Sequence, residues 1–222
     1  MLIKILIMVQ VIPAILEKEF TQIEKKIHLV EGLVDYVQID LCDETLVPSS
    51  TFSDPLPFKS LTTKLNLELH LMVKDPLRYV ERFAAAGFKR FYAHIEGDFV
   101  DDYIAECYKL GVEVGLAIDG PTHLTKVYEY LDNIDCLLVM AIEAGESGRP
   151  YREETADRIK KLRELDFEIP IAVDGAMDDA NAKKVIMAGA TRINSNSFIF
   201  SGPSVEERIN TLKNLSGENL PS

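Results

Sequence analysis

Eight short apolar runs, each followed by a longer stretch, constrain the fold of this chain more than any other feature. The runs are Val11–Leu16, Tyr36–Leu41, Leu67–Val73, Arg90–Ile95, Glu113–Ile118, Cys136–Ile142, Ile169–Val173 and Thr191–Ser195. Few alternate cleanly between apolar and polar, which fits strands covered on both faces. Most of the intervening stretches have helical spacing. "DPLRYVERFAAAGF" opens with Asp75 as N-cap and Pro76 in the first turn. It carries Leu77, Val80, Phe83 and Ala84 on one side and stops at Gly87. Phe20–Val30, Phe99–Leu110, Thr122–Leu131, "TADRIKKLREL" with Thr155 as cap, "DANAKKVIMAGA" ending at Gly189, and "PSVEERINTLKNL" read the same way. In the second unit only Phe58–Leu61 is offered as a helix, and Pro55 and Pro57 crowd it. Eight such units without a linker predict an α/β fold, a single (β/α)8 TIM barrel over residues 1–222, with 216–222 expected to fray. An open doubly wound sheet is the competing fold, but no GxGxxG follows the first strand.

The composition narrows the partners. The 222 residues are 47% hydrophobic and 27% charged, as in globular proteins, and the net charge is −12. That charge argues against nucleic acid and against an anionic membrane surface. It also means that any anion site must be built locally. The three cysteines, Cys42, Cys107 and Cys136, form no CxxC pair, so neither a disulfide framework nor a zinc knuckle is indicated. A reducing, cytoplasmic setting follows from that reading. The opening "MLIKILIMVQVIPAIL" is broken by Lys4 and Gln10 and lacks a small-residue cleavage site, so its second half reads as a buried strand.

In a barrel of this kind, chemistry gathers where strands end and loops begin. That rule selects Gln38 and Asp40, His70, His94 and Glu96, Asp119, Glu143, Asp174, and Asn196 with Ser197. Gln38 and Asp40 are two apart, so on a strand they share a face. Charged groups inside a barrel are costly unless paired or functional, which favours function for Asp40 and Asp174.

The segments "IPAIL", "VQIDLCDETLVPSSTF", "LELHLMVKDPLRYVERFAAAGF", "AHIEG", "IAVDGAM" and "AGATRINSNSFIF" occur in this order from about Ile12 to Gly202. In order and spacing they resemble the ribulose-phosphate 3-epimerase family. The most specific of them is "HLMVKDPLRYVERFAAAGF". The resemblance implies a metal-dependent (β/α)8 barrel that inverts the carbon next to a ketone in a phosphorylated pentulose. It implies Asp40 and Asp174 as the acid/base carboxylates, and one divalent ion (Zn, Mn, Fe or Mg) held by Gln38, Asp40, His70 and Asp174. The departures fall at the site. Where the family pattern has His-x-Asp on the second strand, this chain has Gln38-Ile39-Asp40, and Ala14 stands where the family has Ser. The glycine-rich sixth loop is replaced by Ala144-Gly145-Glu146-Ser147-Gly148-Arg149, Gly-Gly after the seventh strand by Gly175-Ala176, and Gly-Ser in the last loop by Asn196-Ser197.

Epimerisation beside a ketone needs a base on one face of the carbon and an acid on the other, and two carboxylates meet that need. A divalent ion stabilises the resulting ene-diolate as a Lewis acid. Gln38 admits two readings, as an amide-oxygen ligand or as a hydrogen-bond partner of Asp40 in a polar core. Backbone amides of the late loops at Gly145, Ser147, Gly148, Gly175, Asn196 and Ser197 are expected to cradle the phosphate, with Arg149 adding a charge and His70 facing the sugar. Met72 and Met140 read as an apolar lid or as core filling. The expected partner is a small phosphorylated sugar, and a symmetric homo-oligomer is the default assembly.

Two other classes compete with the epimerase reading. One is a catalytically degenerate barrel of the same family that serves as a binding or scaffold protein. The other is a decarboxylase or aldolase on a phosphate-binding barrel. Asp40-Leu41-Cys42-Asp43 lacks the lysine that an Asp-x-Lys-x-x-Asp decarboxylase motif needs, and no strand end offers a Schiff-base lysine.

Overall fold

The computed structural model describes residues 9–165 and 168–215. The first eight residues and the expected frayed tail, 216–222, lie outside them. Eight parallel strands close into a barrel in sequence order. They are β1 (Gln10–Ile15), β2 (Tyr36–Cys42), β3 (Asn66–Met72), β4 (Arg90–His94), β5 (Glu113–Ile118), β6 (Cys136–Met140), β7 (Ile171–Asp174) and β8 (Arg192–Ser195). Eight helices follow in chain order: α1 (Phe20–Val30), α2 (Leu77–Ala84), α3 (Val100–Leu110), α4 (Thr125–Tyr128), α5 (Thr155–Leu165), α6 (Asp179–Ala188), α7 (Ser197–Phe200) and α8 (Val205–Asn214). No described helix is long and apolar enough to cross a membrane.

The helix starts follow their capping chemistry. Asp178 caps α6 and accepts from Asn181 N–H at 2.8 Å; at α2 Pro76 stands at the cap, and the expected cap Asp75 lies one residue outside it, where its carboxylate accepts from the Leu77 N–H at 3.1 Å. Gly189 ends α6 in the left-handed conformation, with φ of 112°. Three further sequence expectations change. Thr155 is the first residue of α5 rather than its cap, and its buried hydroxyl donates back to Arg152 O at 2.7 Å. The stretch from Thr122 to Leu131 yields only the four residues of α4 and a 3₁₀ turn at Leu131–Asn133. Tyr130 N–H bonds to Val127 O, the i→i−3 pattern that tightens a helix and ends it.

The second unit has no α-helix, only a 3₁₀ turn at Pro57–Ser60. Pro57 opens this turn, where its missing N–H costs nothing, and the Leu61 N–H closes it on Phe58 O. Packing takes the helix's place. Phe58 is 3% exposed and meets Phe20 and Phe88 edge-on, with ring centroids 5.0 and 5.1 Å away.

Two layers of side chains hold the barrel. The outer one lies between strands and helices and includes Ile23, Ile27, Val80, Phe83, Ile159, Leu162, Val185 and Ile209. The inner one fills the lumen on the β5–β7 side with Ala117, Leu138, Met140 and Ala172, and it includes Met72 and Cys42. Tyr92 lies across the lumen, fully buried. Gly115 on the next strand makes room for it, because a Cβ there would run into the Tyr92 ring. The β2–β4 and β8 side of the lumen is polar: Gln38, Asp40, Glu68, His70, Arg90, His94 and Asn194 are all buried there.

Candidate active site

Strand register sets the geometry. Asp40 on β2 pairs directly with His70 on β3, while Asp174 on β7 pairs with Asn194 on β8. The inward-pointing side chains therefore converge near the C-terminal ends of the strands. Gln38 lies one inward position below Asp40. Its amide nitrogen donates to Asp40 Oδ1 at 2.8 Å and to Asp174 Oδ2 at 2.6 Å, so one carboxamide bridges the two carboxylates. His70 Nδ1 lies 3.0 Å from Asp40 Oδ1 and 3.7 Å from Asp174 Oδ2. His70 Nε2 meets His94 Nε2 at 2.9 Å, with the two rings stacked, and His94 Nδ1 meets Glu96 Oε2 at 3.1 Å.

Burial dominates the electrostatics. It pushes the Asp40 carboxyl up to about 8, against the pull of the Gln38 hydrogen bond. Asp174 rises to about 7, through burial first and then the nearby Asp40 charge. Burial also drives the His70 imidazole down to about 3, so it is neutral, as a metal ligand must be. With both values raised, the carboxylate pair holds on to a proton near neutral pH, and a cation bound in that proton's place would let both groups ionise. Ligand atoms of Asp40, His70 and Asp174 all lie within 4.8 Å of one another. These three residues fit a divalent ion by donor type and convergence. Gln38 as oriented does not join them, because it turns its N–H2 toward the carboxylates and its oxygen away.

A narrow cleft opens above this cluster. Asp40, His70, Met72, Met140, Gly145, Ser147, Gly148, Asp174, Gly175, Asn196 and Ser197 line it, so most of the residues singled out in the sequence meet in one place. Arg149 does not reach it. It lines a neighbouring notch, is half exposed, and pairs with Glu146 at 2.6 Å and Glu143 at 3.6 Å. The acidic residues of its own loop hold the charge that was expected to meet a phosphate. Gly175 has a φ of 106°, and a Cβ on it would run into Ile142. A side chain is therefore barred there twice over, by φ and by space.

Several contributors escape a reading based on strand ends. Glu68 and Asn194 sit within their strands, Arg90 opens β4, and the three form the layer beneath the carboxylates. Arg90 Nη1 donates to Glu68 Oε2 at 2.6 Å, and Asn194 Nδ2 donates to Gln38 Oε1 at 2.6 Å and to Glu68 Oε1 at 3.1 Å. Arg192 ties in Glu113 at 3.0 Å and the Tyr92 hydroxyl at 3.1 Å. A signal was present: Glu68 stands two before His70, and Asn194 two before Asn196, on the same inward face.

Glu96 braces His94. Burial alone would raise its pKa, but the His94 hydrogen bond and charge, the Thr122 hydroxyl and the Asp119 N–H together hold it at about 2, below the usual 4.5. A carboxylate depressed on folding stabilises fully above its unfolded pKa and loses that contribution as pH falls through the folded one. Glu96→Gln is therefore expected to flatten the fall of melting temperature between about pH 4.5 and 2, removing a contribution of at most about 3 kcal/mol. Unchanged acid dependence in thermal melts would show that the brace contributes nothing.

The family model for the ribulose-phosphate 3-epimerase family matches residues 10–200. This chain belongs to that family. A ribulose-phosphate 3-epimerase from Synechocystis is 30% identical over 214 residues, covering 92% of this chain and 93% of the relative. The Escherichia coli K12 ribulose-phosphate 3-epimerase is 29% identical over 210 residues, covering 90% and 93%. Among solved structures, KGPDC from Streptococcus mutans overlays with a TM-score of 0.75 at 13% identity, over 95% of this chain and 98% of that one. The 3-hexulose-6-phosphate synthase of Salmonella typhimurium gives 0.73 at 14% identity, over 95% and 99%. At these identities the overlays speak for the barrel alone.

Proposed function

We propose that this member of the ribulose-phosphate 3-epimerase family interconverts D-ribulose 5-phosphate and D-xylulose 5-phosphate. The observation that carries the reading is the pair Asp40 and Asp174. They arise on β2 and β7, face one cleft, and are linked by a single amide nitrogen. With the sugar between them, one carboxylate removes the proton at C3 and the other delivers a proton to the opposite face. The roles reverse with the direction of reaction. His70, backed by His94 and Glu96, presents Nδ1 to the same space and helps fix where the sugar oxygens lie. A divalent ion held by Asp40, His70 and Asp174 would supply Lewis-acid stabilisation of the ene-diolate oxygens. Met72 and Met140 form the apolar wall that keeps water from the reacting carbon. The phosphate is assigned to backbone amides of the loops carrying Gly145, Ser147, Gly148, Gly175, Asn196 and Ser197. Arg149 becomes a contact only if it leaves Glu146.

Purified protein is expected to equilibrate the two pentulose phosphates in a coupled assay and to carry about one divalent ion by elemental analysis. Absence of turnover with added Mn²⁺, Zn²⁺ or Fe²⁺ would sink the reading and leave a family barrel that binds without reacting.

A further inference from the structure

We propose that Asn194 is a positioning residue that locks the Gln38 carboxamide with its nitrogen toward Asp40 and Asp174, leaving a divalent ion three protein ligands instead of four. The inference rests on the assignment of Asp40, His70 and Asp174 to an ion.

The lock is a chain of obligatory hydrogen-bond polarities that runs up the lumen. Arg90 has only donors, and at 2.6 Å it makes Glu68 an acceptor. Glu68 Oε1 can then be met only by a donor, and Asn194 turns its Nδ2 there at 3.1 Å. The same Nδ2 faces Gln38 at 2.6 Å, so Gln38 must present its oxygen on that side. Only its nitrogen is left for the carboxylates, at 2.8 and 2.6 Å. Turning over Gln38 alone would set nitrogen against nitrogen at Asn194, and turning over Asn194 alone would set oxygen against oxygen at Gln38 and at Glu68. The other end of Asn194 shows how firmly the direction is imposed. Its Oδ1 is buried without a hydrogen-bond partner. A freely turning amide would not settle with a buried oxygen unpaired unless the alternative were worse. Gln38, Glu68 and Asn194 are all fully buried, so water has no access to relax the constraint. An ion entering between Asp40 and Asp174 must break both Gln38 hydrogen bonds. It gains the amide oxygen only if Asn194 lets go.

The test titrates Mn²⁺ into metal-stripped protein by calorimetry, with the Co²⁺ absorption spectrum as a second readout of ligand number. Asn194→Leu keeps the volume and removes the donor. It is expected to bind Mn²⁺ about tenfold more tightly than the wild type. That gain should vanish in Asn194→Leu combined with Gln38→Leu, because the gain is the Gln38 oxygen reaching the ion. Gln38→Leu alone is expected to stay within about threefold of the wild type or to bind more tightly. Equal affinity of Asn194→Leu and the wild type, including no binding by either, overturns the lock. A loss of about tenfold in Gln38→Leu alone does the same. Should Asn194→Leu fail to fold, slow exchange of both Gln38 side-chain amide protons by NMR, lost in Asn194→Ser, supports the lock. Rapid exchange in the wild type overturns it. None of these readouts needs turnover, so an inactive chain leaves the lock testable; equal binding by Asn194→Leu and the wild type overturns the lock alone, whereas absence of binding by both overturns the metal assignment with it.

Discussion

Asp40→Asn and Asp174→Asn are each expected to lower kcat for epimerisation by about a thousandfold or more, near 4 kcal/mol in the barrier, with little change in fold. The amide is nearly isosteric and its oxygen still accepts from Gln38, so the packing survives while the proton carrier is lost. The two variants should also differ from each other. With Asp174 replaced, Asp40 can still lift the proton from the epimer that faces it, but no group waits on the far face. In deuterated water, each variant is expected to exchange label slowly into one epimer without producing the other. NMR of the recovered sugar checks this. Exchange into both epimers by a single variant would mean that one carboxylate serves both faces and that the two-base geometry is wrong.

Gln38→His is expected to raise affinity for Zn²⁺ at least tenfold, about 1.4 kcal/mol, measured by competition with a chromophoric chelator. The structural reason is local. The present carboxamide bridges the carboxylates with its N–H2, which resists an ion at that point. A neutral imidazole in the same place would offer a lone pair instead. Asn194 would then donate to the second ring nitrogen only in one tautomer, so part of the gain depends on how that ring settles. Unchanged or weaker Zn²⁺ binding would indicate that the fourth position is set by the surrounding backbone and not by the side chain at 38.

The barrel was legible because its signal repeats. Eight buried strands with helical spacing between most of them leave few topologies, and most boundaries agree within a residue or two. The failures fall where local chemistry departs from the repeat, at the proline-crowded Phe58 segment and at the short α4. The upper site was legible for a related reason: polar residues at strand ends are rare, and Asp40, His70 and Asp174 occur there. The layer beneath was not. Glu68 within β3 and Arg90 at the start of β4 look like the polar half of an alternating strand until the barrel closes around them. Which way Gln38 turns depends on Asn194, 156 residues away, and an amide can donate or accept equally well. The sequence exposes Glu146 beside Arg149 as an opposing charge, but only coordinates reveal that the two pair at 2.6 Å.

Where most strands of this barrel are backed by a helix, the connection from β2 to β3 relies on Phe58 set among other rings. Phe52 packs beside it, and Thr51 and Thr63 tie the two flanks by hydrogen bonds to Asp40 O and to Glu31, so only the short span between them is lightly held. Leu56 beside Phe58 is 63% exposed. Residues near that ring are free to lengthen, shorten or drift in composition without disturbing strand register. The same connection supplies Pro48, Ser49, Ser50 and Thr51 to the rim beside the cleft. The lightly held span around Leu56 therefore adjoins a tied rim, so changes in it can reach the mouth of the cleft without loosening the rim itself.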